Sequence, residues 1–498
     1  MDAERVPVII GCGETIDRPG DCPGNEAPPR EPAQLMADAL RLADADAGGG
    51  WLDRLGSLDV VNSVSWRYAD LPGRVARLLG RRPARLSYGA VGGETPVRFL
   101  HEAALRIAGD GGGVAAVCGG EAQAAVTAAR RAGTVLRWPE EDPGWAVTRS
   151  GDLSHPLAKA LGVAQPVTVY PFYENACQAA WGQTPEEGRE ESAALWAAMS
   201  EVAAGNPSAW LRRPHAAADI ALASPANRPV AWPYTKLMVA NPGVNQGAAV
   251  LLTSLAQART AGIPEHKLAF PGLGAAAEEP SDYLQRPRFD QSPAMDAVLA
   301  GVRDRFGRFD HLELYSCFPC VPKMAARTLG LDPGTAVTVT GGLTFFGAPL
   351  NDYMLHAACA MVRRLRGTPG IGLLYGQGGF VSRHHALVLA GEQGGAGQGT
   401  LPSTQADADA NRGPGPDIVE AACGEARVET HTVLYDRHGA PVQGMVMLRL
   451  PSGARTLARV PQEDAASLAL LTGWSKLPIG RTGRLRSGTG GLSEWNVT

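Results

Sequence analysis

Hydrophobic positions along most of the chain follow two periods, one typical of strands and the other of helices. Residues 6–11 form a continuous apolar run, which predicts a buried strand, and residues 32–45 place their apolar side chains on one helical face. Apolar runs at 58–65 and 114–117 predict two more strands, with a helix between them at 96–108. This alternation of strand and helix predicts an α/β fold.

A similar order of elements recurs further along the chain. The second set is a strand at 267–270, a helix at 293–306, a strand at 312–315, a helix at 351–366, and strands at 371–374 and 386–389. Two consecutive series with the same order indicate an internal duplication.

Three segments interrupt or follow this duplication. Residues 131–233 are rich in Trp, Pro, Glu and Ala and are interpreted as an inserted loop or cap domain. Residues 393–417 have almost no large apolar side chains and are predicted to be a flexible linker. Residues 418–498 show a hairpin pattern and form a β-rich C-terminal domain. The first half is then residues 1–130 with 234–258, and the second half is residues 259–392.

Composition narrows the classes of partner and compartment. The 498-residue chain has a net charge of −4 without a basic block, which disfavours nucleic acid and anionic membrane as main partners. The sequence shows no signal-peptide pattern and no apolar run long enough for a membrane span. Eight scattered cysteines do not resemble a disulfide framework. We therefore expect a reduced, cytoplasmic protein.

Four short stretches carry candidate chemistry. They are Gly92-Gly93-Glu94-Thr95-Pro96 at a predicted helix start, Pro233-Tyr-Thr-Lys236 with Asn245-Gln-Gly-Ala-Ala249, Glu313-Leu-Tyr315-Ser316-Cys317-Phe318 after a predicted strand, and the loop from Gly341-Gly-Leu to Ala348-Pro349. In the first, a capping threonine is expected before the proline of the first turn.

In order and spacing, these stretches resemble the thiolase superfamily, in particular the type-1 thiolase-like proteins related to sterol-carrier-protein thiolases. The resemblance covers roughly residues 5–390, and the β-rich tail resembles the extra C-terminal domain of that subgroup. It implies a five-layer α-β-α-β-α sandwich of two duplicated halves, with an inserted loop domain and a small β-rich C-terminal domain. It also implies coenzyme A thioesters as substrate or ligand, an acyl-CoA or acyl-carrier partner, and a monomer or homodimer.

The sequence departs from the thiolase pattern at the catalytic positions. The nucleophilic cysteine of thiolases falls near Gly93, and the Gly-His-Pro histidine falls on Ala348. Tyr315 stands where related thiolases carry a histidine. Transfer through an acyl-cysteine needs an activated thiolate, so the usual reaction is not expected. Three possibilities remain: binding without reaction, direct transfer between bound substrates, and a relocated nucleophile.

Several residues are candidates for this altered site. Cys317 is a candidate relocated nucleophile, although it also fits a small buried filler or a redox pair with Cys320. His384 is a candidate base, whereas His384 and His385 also fit a structural pair at a strand edge. Tyr315 and Ser316 would line the same wall. The substrate-binding candidates are Gly92 and Gly93 through their backbone N–H groups, Glu94, Thr95, Ala348, and Lys236 as a contact for a CoA phosphate.

The leading interpretation is an acyl-CoA-linked acyltransferase or condensing enzyme of non-standard mechanism, in lipid or secondary metabolism. The alternative is a catalytically silent acyl-CoA-binding, lipid-binding or scaffold protein with the thiolase fold. No metal site is predicted.

Overall fold

The structure is a computed structural model that describes residues 2–18, 28–111, 113–139 and 150–497. Its strands are β1 (Pro7–Ile16), β2 (Leu55–Val60), β3 (Arg85–Tyr88), β4 (Val114–Ala122), β5 (Pro229–Ala231), β6 (Tyr234–Thr235), β7 (Asn245–Ser254), β8 (Phe270–Glu278), β9 (His311–Leu314), β10 (Ile371–Gly378), β11 (Arg383–Ala390), β12 (Gly424–Tyr435), β13 (Pro441–Arg449), β14 (Arg455–Val460), β15 (Thr482–Ser487) and β16 (Ser493–Val497).

The helices of the same residues are α1 (Pro32–Asp46), α2 (Leu71–Leu79), α3 (Thr95–Asp110), α4 (Gln123–Ala132), α5 (Pro156–Ala160), α6 (Pro166–Ala180), α7 (Pro185–Ala204), α8 (Ala217–Ala221), α9 (Leu255–Thr260), α10 (Pro293–Phe306), α11 (Cys320–Leu329), α12 (Gly342–Phe345), α13 (Tyr353–Leu365), α14 (Thr404–Arg412) and α15 (Ala465–Leu471). None of these helices is long and apolar enough to cross a bilayer.

The two halves share one sheet topology. The first sheet has the order β1-β7-β4-β2-β3, which numbers its strands 1-5-4-2-3 within the half. The second sheet, β8-β11-β10-β9, has the order 1-5-4-2. In both sheets the first two pairs in this order are antiparallel and the third pair is parallel. At the place of a third strand, the Leu314 N–H donates to the Val337 carbonyl at 2.9 Å. The predicted duplication is therefore present in the backbone.

Helices α3 and α13 form the central layer, because each packs against strands of both sheets. Helices α1 and α2 cover the outer face of the first sheet, and α10 and α11 cover that of the second. The result is a five-layer α-β-α-β-α sandwich, in which the two central helices begin close to each other.

The C-terminal residues form a closed barrel of five strands, in the order β12-β13-β14-β16-β15 and back to β12. The inserted hairpin β5–β6 extends this sheet through the pair Leu434 and Ala231. Asn175 on α6 donates to the His431 carbonyl at 2.8 Å. The barrel is thus hydrogen-bonded to the inserted segment.

The segment expected to be a flexible linker is ordered where it crosses the second sheet. The Leu273 and Gly274 N–H groups donate to the carbonyls of Ala396 and Gly399, and α14 packs on β8 and α10. Apolar content alone misjudged this segment, because its order comes from backbone hydrogen bonds to a neighbouring strand.

Candidate functional site

The candidate site lies where α3 begins. The loop after β3 turns at Gly92, whose carbonyl accepts from the Thr95 N–H at 3.1 Å. Its own N–H donates to the Asn351 Oδ1 at 2.9 Å, and Asn351 in turn donates to the Asn62 carbonyl. Asn351 lies just before α13, so this side chain joins the starts of the two central helices. The Gly92 N–H is therefore already used and does not offer the predicted oxyanion donor.

Tyr315 covers Gly93, near which the family resemblance implies a nucleophile. A methyl group on Gly93 would lie 2.5 Å from the Cζ and Oη atoms of the Tyr315 ring. The Tyr315 N–H donates to the Tyr375 carbonyl at 3.0 Å. This hydrogen bond fixes the backbone of Tyr315 just after β9. The phenol is buried, with 8% exposure, and burial raises its pKa well above the usual value. Tyr315 is thus a neutral hydroxyl filling the place of a nucleophile.

Glu94 is a buried carboxyl group beside this ring. Its side chain is 6% exposed, and its Oε2 atom has no hydrogen-bond partner among the described residues. The nearest cation is Arg383, whose Nη1 lies 3.4 Å from Oε1. Burial raises the pKa of Glu94, and Arg383 only partly opposes this. A buried carboxyl group with a raised pKa and one oxygen without a hydrogen bond to any described residue therefore lies at the N-terminus of α3.

Two glycines make room for the Glu94 carboxyl. A side chain at Gly92 would lie 2.2 Å from it, and one at Gly378 would lie 1.8 Å from it. Gly378 ends β10, so the carboxyl is enclosed between the first half and the second sheet. The close approach of the Glu94 carboxyl to the backbone explains why glycine stands at the end of β10.

Thr95 and Ala348 take other roles than expected. Thr95 is the first residue of α3 and donates from its hydroxyl to the Ala90 carbonyl at 3.0 Å, whereas Glu94 occupies the cap position. The expected threonine cap is therefore wrong. Ala348 is buried and its N–H donates to the Asn241 carbonyl, so it contributes only backbone and a methyl group.

Cys317 and Ser316 are buried in the wall beyond Tyr315. Gln377 Nε2 donates to the Cys317 Sγ at 3.4 Å, and burial raises the pKa of this thiol to about 12. The Ser316 hydroxyl oxygen accepts from the Leu343 N–H at 3.3 Å. At neutral pH Cys317 is thus a thiol and not a thiolate, which is the form that attacks an acyl group. Its catalytic role remains a prediction that this environment does not favour.

His384 lies on the opposite face of the second sheet from α3. Side chains alternate along β11, and the neighbouring His385 faces α3, where its Nε2 is 3.0 Å from the His101 Nδ1. The His384 ring instead contacts the Tyr375 hydroxyl at 2.7 Å and the Ser292 hydroxyl at 3.2 Å. Burial, with a contribution from Arg286, lowers its pKa to about 3. The structure does not bring His384 to Glu94.

Lys236 is exposed on a short 3₁₀ turn, where it remains a candidate contact for an anionic ligand. The described residues contain no group of three or more His, Cys, Asp or Glu side chains arranged to hold a metal. Sequence analysis missed Arg383 and Asn351, because both act through contacts more than 250 residues away along the chain.

Comparisons with known proteins agree with this architecture. The family described as "Thiolase-like protein type 1 additional C-terminal domain" matches residues 407–489. A monomeric SCP2-thiolase-like protein type 1 from Mycobacterium smegmatis is 26% identical, with 99% of each chain covered and a TM-score of 0.81. The chain therefore has a thiolase-like fold, and residues 407–489 match the additional C-terminal domain. The predicted fold and family resemblance are thereby confirmed.

Two other solved structures share only the thiolase part. An Ltp2–ChsH2(DUF35) aldolase is 18% identical with a TM-score of 0.59, and the dimeric peroxisomal thiolase of Saccharomyces cerevisiae is 14% identical with a TM-score of 0.55. In each comparison 78% of this chain and 98% of the other chain are covered. No curated protein is similar enough in sequence to match the chain. These two likenesses show the fold of the thiolase-like part and no more.

The contact between Tyr315 and position 93 predicts an unusual sensitivity to the smallest side chain. We expect Gly93→Ala to lower the free energy of unfolding by about 1–3 kcal/mol, because the added methyl overlaps the ring. Chemical denaturation of the two proteins measures this difference. Gly109→Ala, within α3, is the matched control, since a methyl there meets nothing within 4 Å and should stabilise by about 0.5–1 kcal/mol. A neutral Gly93→Ala would contradict the packing described.

The buried state of His384 predicts a pH dependence of stability. Its pKa is lowered to about 3 in the folded chain, so below pH ~6.5 only the unfolded chain takes up the proton. This group should therefore remove about 2 kcal/mol of stability as the pH falls from about 6.5 to about 5. Denaturation of wild type and His384→Gln at both pH values measures the effect. The variant should lose less stability, whereas exposed His438→Gln should follow the wild type. Parallel pH profiles for all three proteins would show that His384 is accessible to protons.

Proposed function

We propose that this chain is an acyl-CoA-linked enzyme that transfers or condenses acyl groups without an acyl-cysteine intermediate. The observation that carries the proposal is Glu94, a buried carboxyl with a free Oε2 at the start of α3, beside the position of the thiolase nucleophile. Buried ionisable groups with strongly shifted pKa values are enriched at functional sites.

A neutral carboxylic acid suits direct transfer because it both donates and accepts a proton. In the proposed step, the acceptor nucleophile attacks the thioester carbonyl, and the carbon–sulfur bond breaks to release coenzyme A. The carbonyl oxygen of Glu94 takes the proton of the acceptor while its hydroxyl gives a proton to the departing sulfur. The carboxyl is neutral again at the end, so no further proton source is required.

Two neighbours of Glu94 support this assignment. The Gly93 N–H has no hydrogen-bond partner among the described residues and lies at the positive end of α3, where an oxyanion is stabilised. The Tyr315 hydroxyl lies on the same side and remains protonated, so it is a second donor.

The described residues around Glu94 offer no thiolate, and this separates the proposed mechanism from that of thiolases. Cys317, two residues after Tyr315, is the candidate for a relocated nucleophile. It is buried, and burial keeps its thiol protonated at neutral pH. Proximity of two bound substrates would then supply much of the rate. The fold is compatible with other carbon–carbon chemistry, since the aldolase with the same fold is one of its structural neighbours.

The proposed ligands are a coenzyme A thioester or an acyl carrier, in lipid or secondary metabolism, with Lys236 as a contact for a phosphate. A monomer is the proposed state, on the likeness to the monomeric protein from Mycobacterium smegmatis.

A silent acyl-CoA-binding or scaffold protein is the second candidate. The observation that favours it is the Tyr315 ring itself, because its packing on Gly93 leaves no room for an acyl group at the thiolase position. In this case acyl-CoA would bind without release of coenzyme A.

Glu94→Gln tests the proposed proton relay. The amide keeps the shape of the side chain but cannot give up and regain a proton, so release of free coenzyme A should fall about 100- to 10,000-fold. The assay follows free thiol from a panel of short- and long-chain acyl-CoAs with amine, hydroxyl and enolisable carbon acceptors. Glu102→Gln, half-exposed and two turns further along α3, is the control and should retain full activity.

The outcomes distinguish the candidates. Equal turnover in wild type and Glu94→Gln would exclude the relay. Acyl-CoA binding without turnover in the wild type would favour the silent protein. A covalent acyl adduct in the intact mass of the wild type would reveal a relocated nucleophile and contradict direct transfer.

A further inference from the structure

A pair of buried cysteines joins the two halves of the sandwich, away from Glu94. Cys12 follows a bulge in β1, and Cys359 lies on α13. The Cys12 Sγ is 4.0 Å from the Cys359 carbonyl oxygen, and the Cys359 Sγ is 3.8 Å from the Gly13 carbonyl oxygen. The Cys12 thiol therefore lies against the Cys359 backbone, and the Cys359 thiol lies against the backbone of Gly13, the residue after Cys12.

Two arginines lie beside this pair. Arg363 follows Cys359 by four positions and shares its face of α13, and Arg366 is the residue that caps the end of this helix. Arg366 is held by Asp46 at 2.8 Å, and the same carboxylate accepts from the Cys12 N–H at 2.9 Å. Arg363 is held by Glu14.

Cys12 differs from the other buried cysteines in its electrostatic environment. The hydrogen bond from the Cys359 thiol and the charges of Arg363 and Arg366 lower the pKa of Cys12, against the opposing effects of burial and Asp46. Burial raises the pKa of the other five buried cysteines among the described residues, which are Cys118, Cys177, Cys317, Cys320 and Cys359. Cys12 therefore has the most thiolate character of the buried set.

The charged side chains beside Cys12 are partly exposed. Cys12 itself is 5% exposed, whereas the side chains of Arg363 and Asp46 are 46% and 31% exposed. Oxidation-sensitive cysteines combine thiolate character and access with a second cysteine close by.

We propose that Cys12 and Cys359 form an oxidation site for small hydroperoxides, at which a reversible disulfide links β1 to α13. The Cys12 thiolate attacks the peroxide, a sulfur–oxygen bond forms, and the oxygen–oxygen bond breaks. The leaving oxygen takes a proton from solvent, which replaces the one that the Cys12 thiol gave up, and departs as water or an alcohol. The Cys359 sulfur then attacks the sulfenic acid, the sulfur–sulfur bond forms, and the hydroxyl leaves as water with the Cys359 proton. Two thiols are oxidised and one peroxide is reduced.

The experiment uses the full chain with Cys22→Ser and Cys423→Ser, which removes the exposed Cys423 and a cysteine outside the described residues. Brief treatment with hydrogen peroxide should remove two free thiols and lower the intact mass by ~2 Da. A non-reduced digest should contain one peptide pair joined through Cys12 and Cys359, and a reductant should separate it.

Two variants resolve the order of the steps. With Cys359→Ser, Cys12 should accumulate as a sulfenic acid that dimedone traps; with Cys12→Ser, Cys359 should stay reduced. Mapping of alkylation rates in the unsubstituted chain is a second measurement that needs no variant, and Cys12 should react faster than Cys118. A Cys12 that stays reduced, a rate no higher than that of Cys118, or a disulfide between other cysteines would overturn the proposal.

Discussion

The packing of Tyr315 on Gly93 is the constraint on which the site depends. The family resemblance implies a nucleophilic side chain near this position, and here even a methyl group on Gly93 would lie 2.5 Å from the Tyr315 phenol. Once this space is filled by a neutral hydroxyl, the free groups at the start of α3 are the Glu94 carboxyl and the Gly93 N–H. The chemistry proposed for the chain follows from these groups and not from a thiol.

The duplicated architecture explains why these groups meet. Both central helices start at the same edge of the sandwich. Asn351, just before α13, accepts from the Gly92 N–H in the loop that leads into α3 and donates to the Asn62 carbonyl. Gly378 ends a strand of the second sheet against the carboxyl of the first half. The site therefore exists only when both halves are assembled, whereas the barrel is attached to the inserted segment through α6 and β5.

The periodicity of the sequence predicts much of the sandwich, because its strands and helices are long and strongly patterned. The helix predicted at residues 293–306 matches α10, and the strand at 312–315 matches β9 within one residue. Short or edge elements such as β3 and α14 were missed, since their stability comes from neighbours rather than from apolar content. At the site, local motifs identified Gly93, Glu94 and Tyr315. They did not reveal that His384 faces away from α3 or that Arg383 reaches Glu94, because these facts depend on strand register and long-range contacts.

Hydrogen–deuterium exchange with a thioether analogue of acyl-CoA tests the central claim most directly. This analogue binds as the thioester does but cannot react, so protection reports the place of binding alone. The account predicts increased protection at residues 91–98 and 313–318, with the peptide that contains Gly93 unmodified after a parallel incubation with acyl-CoA. Protection confined to other parts of the chain, or an acyl group on residues 313–318, would contradict the assignment of the site to Glu94 and Tyr315.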